Sequence, residues 1–157
     1  MTDKPNFFYN IALEHYKLSR EIYKNLDNKL KEFLQIIFAL FPILSGLGYY
    51  FIGSFSLLSF TTFTLALLFL LVSAFIGFFG YYPREFGILN PKGFYDDHCS
   101  EKYDEILEKA AVTIGSYVPE IGKNIVEKSK HLKYMIFFFI ISNLFLLFSL
   151  ISLYLKW

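Results

Sequence analysis

Charge is missing from this chain over lengths that no soluble fold leaves bare. Phe33 to Pro83 is a run of 51 residues without an Asp, Glu, Lys, Arg or His, and Tyr134 to Leu155 is a second such run. Cysteine is nearly missing too: Cys99 stands alone, which excludes an intramolecular disulfide and any CxxC metal or redox site. Only Arg20 and Arg84 are arginines among 15 basic residues, and the net charge of +1 gives no basic footprint for nucleic acid. No glycine-rich phosphate loop is present, so nucleotide binding has no motif to rest on. The uncharged runs hold no acid or base of the kind ion-coupled transport uses, and no sequence symmetry marks an inverted repeat.

What the chain does have is apolar surface. Hydrophobic residues make up 55% of 157 positions and aromatic ones 21%, with 20 Phe and a mean hydropathy of +0.42. A chain this short has no soluble core large enough to bury that much. One span needs about 20 apolar residues, and as a single helix the first run would measure roughly 76 Å. It must therefore double back. The expected fold is an all-α integral membrane protein with three transmembrane helices. An N-terminal cytosolic amphipathic helix precedes them, and a helical cytosolic segment lies between spans two and three.

Residues 1–32 form the first part. Their charges are spread along the whole segment, unlike those of a signal peptide. Pro5 and Asn6 suit a helix start. Ile11, His15, Leu18, Ile22, Leu26 and Leu30 then recur at spacings of three or four, the stripe of an amphipathic helix. Lys17 with Glu21 and Asp27 with Lys31 are i,i+4 pairs on its polar side. The stripe can lie on headgroups, or pack on the second cytosolic segment or on a neighbouring subunit.

Residues 33–81 form a transmembrane hairpin with spans over about 33–52 and 55–80. Pro42 removes a backbone donor inside the first span and predicts a kink, and Gly53-Ser54 is the expected reversal. Ser59, Thr62, Ala66, Ser73, Gly77 and Gly80 form a row of small residues on span two. Ser142, Ser149 and Ser152, with Asn143 beside them, do the same on span three, residues 134–157. Such rows let helices approach closely, or line a pore if several copies assemble. Tyr154 and Trp157 suit the interface at the end of span three.

Orientation follows from the basic residues. Residues 1–32 hold six Lys or Arg and residues 82–133 hold eight, whereas the hairpin turn holds none and the far end only Lys156. The positive-inside rule then predicts a multi-pass protein of the cell (inner) membrane, N-terminus in the cytoplasm and C-terminus outside.

Residues 82–133 carry the remaining candidates. Two prolines and two glycines between Pro83 and Gly93 predict a turn, and Asn90-Pro91 a short helix start. From Ser100 the pattern is helical, with Tyr103, Ile106, Leu107, Ala110 and Ile114 on one face. Gly115 and Pro119 are expected to interrupt it before Ile121, Ile125, Val126 and Leu132 resume it into span three. Asp96 to Glu101, with His98 and Cys99, is the only cluster of metal-ligand types. No second cluster completes a coordination sphere, and a polar helix start explains the same residues, so no metal and no cofactor is expected. Cys99 has no base partner, and an enzyme is not expected. Arg84, Asn90, Lys92 and Tyr82 are the candidate contacts for an anionic ligand, a lipid headgroup or an acidic partner. Arg84 serves equally as a snorkelling anchor at the membrane edge.

The order of parts across residues 6–132 resembles the SLATT-type membrane effectors of prokaryotic nucleotide-signalling antiphage systems. The resemblance rests on the first helix, the hairpin around Gly53-Ser54 and the helical segment from Ser100; span three departs from the two-span pattern. It implies a homo-oligomer in the lipid bilayer that acts as a non-enzymatic effector or channel once activated, by a cytosolic protein or a small-molecule signal. An accessory subunit that docks a cytosolic partner, or a small transporter or lipid-interacting protein, are the other classes compatible with the same layout.

Overall fold

The computed structural model describes residues 4–82, 94, 97–98 and 102–155. Within them lie three α-helices: α1, Lys4–Phe51; α2, Leu57–Tyr81; and α3, Tyr103–Leu155. All three are long and apolar enough to cross a membrane. A single 3-10 turn, Ile52–Ser54, joins α1 to α2, at the Gly53-Ser54 reversal expected from sequence. Ser56 then caps α2, its hydroxyl accepting from the Ser59 N–H at 3.2 Å.

α1 and α3 run unbroken for 48 and 53 residues. Each passes from a charged half into an uncharged half without a break. α1 continues through Pro42, which is exposed. The expected interruption at Gly115 and Pro119 does not occur. Pro119 lies inside α3 on an exposed position, where the lost N–H and the ring's crowding of the Gly115 carbonyl do not end the helix. Buried Ile114 and Ile121 on either side hold the helix in register.

A seven-residue period governs what is buried. On α3 the sequence Leu107, Ile114, Ile121, Lys128, Met135, Ser142, Ser149 is buried at every seventh position. On α1 Tyr23, Leu30 and Ile37 repeat likewise, and on α2 Ser59, Phe63, Ala66, Leu70, Ser73, Gly77 and Gly80 alternate steps of four and three. A period of 3.5 keeps one seam facing its neighbours, as in left-handed coiled coils.

The chain divides into two compact units. The first takes residues Met1–Leu26 and Pro83–Glu127. There Tyr23, Leu107, Ala110, Ala111, Ile114 and Ile121 are buried, and Tyr16 and Tyr9 are half-buried one and two heptads before Tyr23. Of the stripe read from sequence, Ile11, His15, Leu18 and Ile22 are exposed, Leu26 is half-buried and Leu30 is buried in the core of the second unit. The more buried line on this part of α1 is one of tyrosines, Tyr9, Tyr16 and Tyr23, whose rings carry most of their apolar surface.

The second unit, Asp27–Tyr82 and Lys128–Trp157, is a three-helix bundle. Its core is Leu30, Leu34, Ile37, Leu70, Ala74 and Met135, with Phe33, Phe41 and Phe139 packed at the edge. α2 runs antiparallel to both neighbours: Gly80 meets Leu30 and His131 at one end, and Gly48 meets Phe63 while Ser59 meets Ser152 towards the other. α2 is also the most enclosed helix, with 33% of its apolar window buried against 17% for each of the others. Phe75, Phe78, Phe79, Phe137 and Phe148 point outwards, where a bilayer suits them and water does not.

Candidate functional site

Serine is an indifferent helix former and costly to bury alone. In the second unit it is buried repeatedly, and each hydroxyl finds a partner across the helix boundary. Ser73 Oγ donates to the Met135 carbonyl at 2.8 Å and Ser142 Oγ to the Ala66 carbonyl at 2.8 Å. Ser149 Oγ donates to the Ser59 carbonyl, and Ser59 Oγ to Ser152 Oγ, both at 2.9 Å. These four bonds form a ladder up the α2–α3 contact. At an average of about 0.6 kcal/mol each inside a membrane, their sum is near 2 kcal/mol.

Glycine sets the helix separation where the ladder ends. A Cβ on Gly80 would stand 2.6 Å from His131 Cβ, a root atom that cannot swing aside. One on Gly77 would meet Met135 Sδ and come within 2.9 Å of Leu34 Cδ2. The small-residue row is thus consumed by packing within one chain: Ser59, Ala66, Ser73 and Gly77 face α1 or α3, and Ser142 and Ser149 face α2. Thr62 and Asn143 do something different. Each bonds back to its own helix, Thr62 Oγ1 to the Leu58 carbonyl at 2.9 Å and Asn143 Nδ2 to the Phe139 carbonyl at 2.7 Å. No pore-facing role is open to the buried serines while this ladder is closed.

Below the ladder the seam carries a charge. Lys128 occupies the heptad core position between Ile121 and Met135 and has no exposed surface. Its Nζ donates to Asp27 Oδ1 of α1, whose side chain keeps 29% exposure. The Asp27 partner expected from sequence was Lys31, one turn on along the same helix; the carboxylate instead crosses to α3. A lysine at such a position costs stability and favours one register over its neighbours. The sequence hid it among Lys130 and Lys133, both exposed. Counting sevens from Leu107 would have singled it out.

Of the four candidate contact residues, Tyr82 is exposed at the end of α2, its N–H bonded to the Phe78 carbonyl at 3.1 Å. Arg84, Asn90 and Lys92 lie outside the described residues, as do Asp96, Cys99 and Glu101. His98 meets the edge of the Phe94 ring, 4.7 Å between centroids. Among the described residues no group of three or more His, Cys, Asp or Glu could hold a metal ion.

These features define a class, an all-helical protein with three helices fit to span a membrane. Compared with protein-family models, curated proteins and solved structures, the chain matches none.

Proposed function

We propose that this protein is a non-enzymatic, oligomeric membrane effector or channel-like protein, whose charged helical segments gate or assemble its transmembrane bundle. The observation that supports this most is the continuity of α1 and α3. Each is one unbroken helix from a charged segment into an uncharged one, so a tilt or rotation imposed on one half is transmitted along the backbone of the other. The absence of Asp, Glu, Lys, Arg and His from the uncharged runs argues against coupled transport or catalysis as the task. Residues 1–32 and 82–133 are read as cytoplasmic and the hairpin turn as external, because the basic residues divide that way. The layout it shares with SLATT-type effectors is consistent with assembly in response to a cytosolic signal in a prokaryotic defence setting.

The test is release of a trapped dye from liposomes, with the protein's size in detergent measured in parallel. A single copy has three helices, too few to enclose a water path, so leakage must come with assembly beyond a monomer. Protein that is monomeric throughout and never releases dye would overturn the proposal.

A further inference from the structure

In the first unit, α1 presents a second heptad seam that nothing in the described chain covers. Phe8, His15 and Ile22 repeat at sevens, and Ile11, Leu18 and Asn25 repeat at sevens three residues later. All six are exposed. They lie roughly a third of a turn round the helix from the more buried tyrosine line. Phe8 and Ile11 at one end of the seam line a groove of about 490 Å³ together with Lys4, Pro5, Glu108 and Val112.

We infer that this seam is where a second copy of the chain docks, α1 against α1 in parallel. Three observations commit it to that occupant. The alternation of a and d positions is the pattern by which two like helices interdigitate, and it has the same period as the seams this chain already uses on itself. Exposed Phe7, Phe8, Ile11, Leu18 and Ile22 leave on the order of 500 Å² of mostly apolar surface, in the size range of patches that are often functional and a large part of the ~800 Å² per partner of a standard interface. Beside the seam between Phe8 and Asn25 the flanking charges are Glu14 and Glu21, acids that an anionic lipid surface repels, with Lys4 a heptad before Ile11 at its end.

Those glutamates also select the direction. In a parallel pair Glu14 faces Ser19 of the partner subunit and Glu21 faces Leu26 of the partner subunit, with no like charges opposed. An antiparallel pair sets glutamate against glutamate. Parallel pairing is what a two-fold axis along the membrane normal requires. His15 then meets its own counterpart at a core position, the polar residue that limits affinity and fixes register.

The seam rests on the oligomeric reading above, and the experiment separates the two. In full-length Cys99→Ser protein in liposomes, single cysteines replace Ile11, Leu18 or Ile22 on the seam and Lys17 or Lys24 off it, and copper-phenanthroline oxidation is followed by gel. The expected result is dimer at the three seam positions, several-fold above the two lysine positions. His15→Leu should raise the dimer fraction. Leu18→Asp should weaken dimerisation at least about tenfold with melting unchanged, since Leu18 is exposed. Equal or greater cross-linking at Lys17→Cys or Lys24→Cys overturns the seam. So does stronger quenching by nitroxide lipids of a bimane at Leu18→Cys than at Lys17→Cys, which would place this face on the bilayer. Protein that sizes as an oligomer without seam cross-links refutes the seam and leaves the oligomeric reading standing, whereas protein that sizes as a monomer refutes both.

Discussion

A lysine without exposed surface is held in this fold by a carboxylate 101 residues away in sequence, and the energetics of that pair differ from those of a surface salt bridge. Desolvating Lys128 costs several kcal/mol, which the Asp27 carboxylate offsets at close range. Removing only the acid therefore takes a counter-charge away from a buried cation. Asp27→Ala should lower stability by about 3 kcal/mol, the low end of the range because Asp27 itself keeps some contact with water. Replacing both, as Asp27→Leu with Lys128→Met, should bring stability back to within about 1 kcal/mol of the parent or above it. Thermal or SDS-driven unfolding in micelles reads both variants; an Asp27→Ala protein as stable as the parent would show that the pair contributes nothing.

The helices themselves show how far sequence reading carries. Long charge-free runs made the three apolar helices and the Gly53-Ser54 turn legible, because a bilayer requires length and apolarity before anything else. Which face of each helix turns inwards was harder to read. α2 is apolar all round, so its heptad shows only in the small residues at Ser59, Ala66, Ser73 and Gly80. On α1 the aliphatic residues drew the stripe to Ile11, Leu18 and Ile22, while the buried seam runs through Tyr23 and the half-buried Tyr9 and Tyr16. Tyrosine counts as polar in such patterns although most of its surface is apolar. Local breaker rules also overreached at Pro119, where buried Ile114 and Ile121 flank an exposed proline and α3 stays intact. The α2–α3 contact offers a test at this scale. Gly80→Ala drives a methyl into His131 Cβ and should cost about 1–3 kcal/mol by forcing the helices apart. Gly46→Ala meets nothing within 4 Å and should be neutral or stabilising by up to about 1 kcal/mol. The pair is measured by unfolding under the same conditions, and equal effects would contradict close packing at Gly80.

At the scale of the whole molecule, three helices with one charge-free turn leave few ways to sit in a membrane. The orientation proposed here predicts that, in sealed inverted vesicles of Cys99→Ser protein, a cysteine placed at Gly53 is shielded from an impermeant maleimide. One placed at Lys24 is labelled. The reverse pattern would invert the topology, and labelling of both would remove the hairpin from the membrane. Neither cysteine disturbs packing, because Gly53 has open space around it and Lys24 is exposed.

The 3-10 turn at Ile52–Ser54 also bears on how such a chain is made. Between the last residue of α1 and the first of α2 lie only five residues, none of them charged. A hairpin this tight has no slack for its two helices to be threaded one after the other, and no ionised group for the insertion machinery to carry across. On the membrane topology proposed above, the pair would enter the bilayer in one event, its polar backbone already satisfied. On that topology α3 would complete the serine ladder afterwards, with Ser73 and Ser59 bonding to it last.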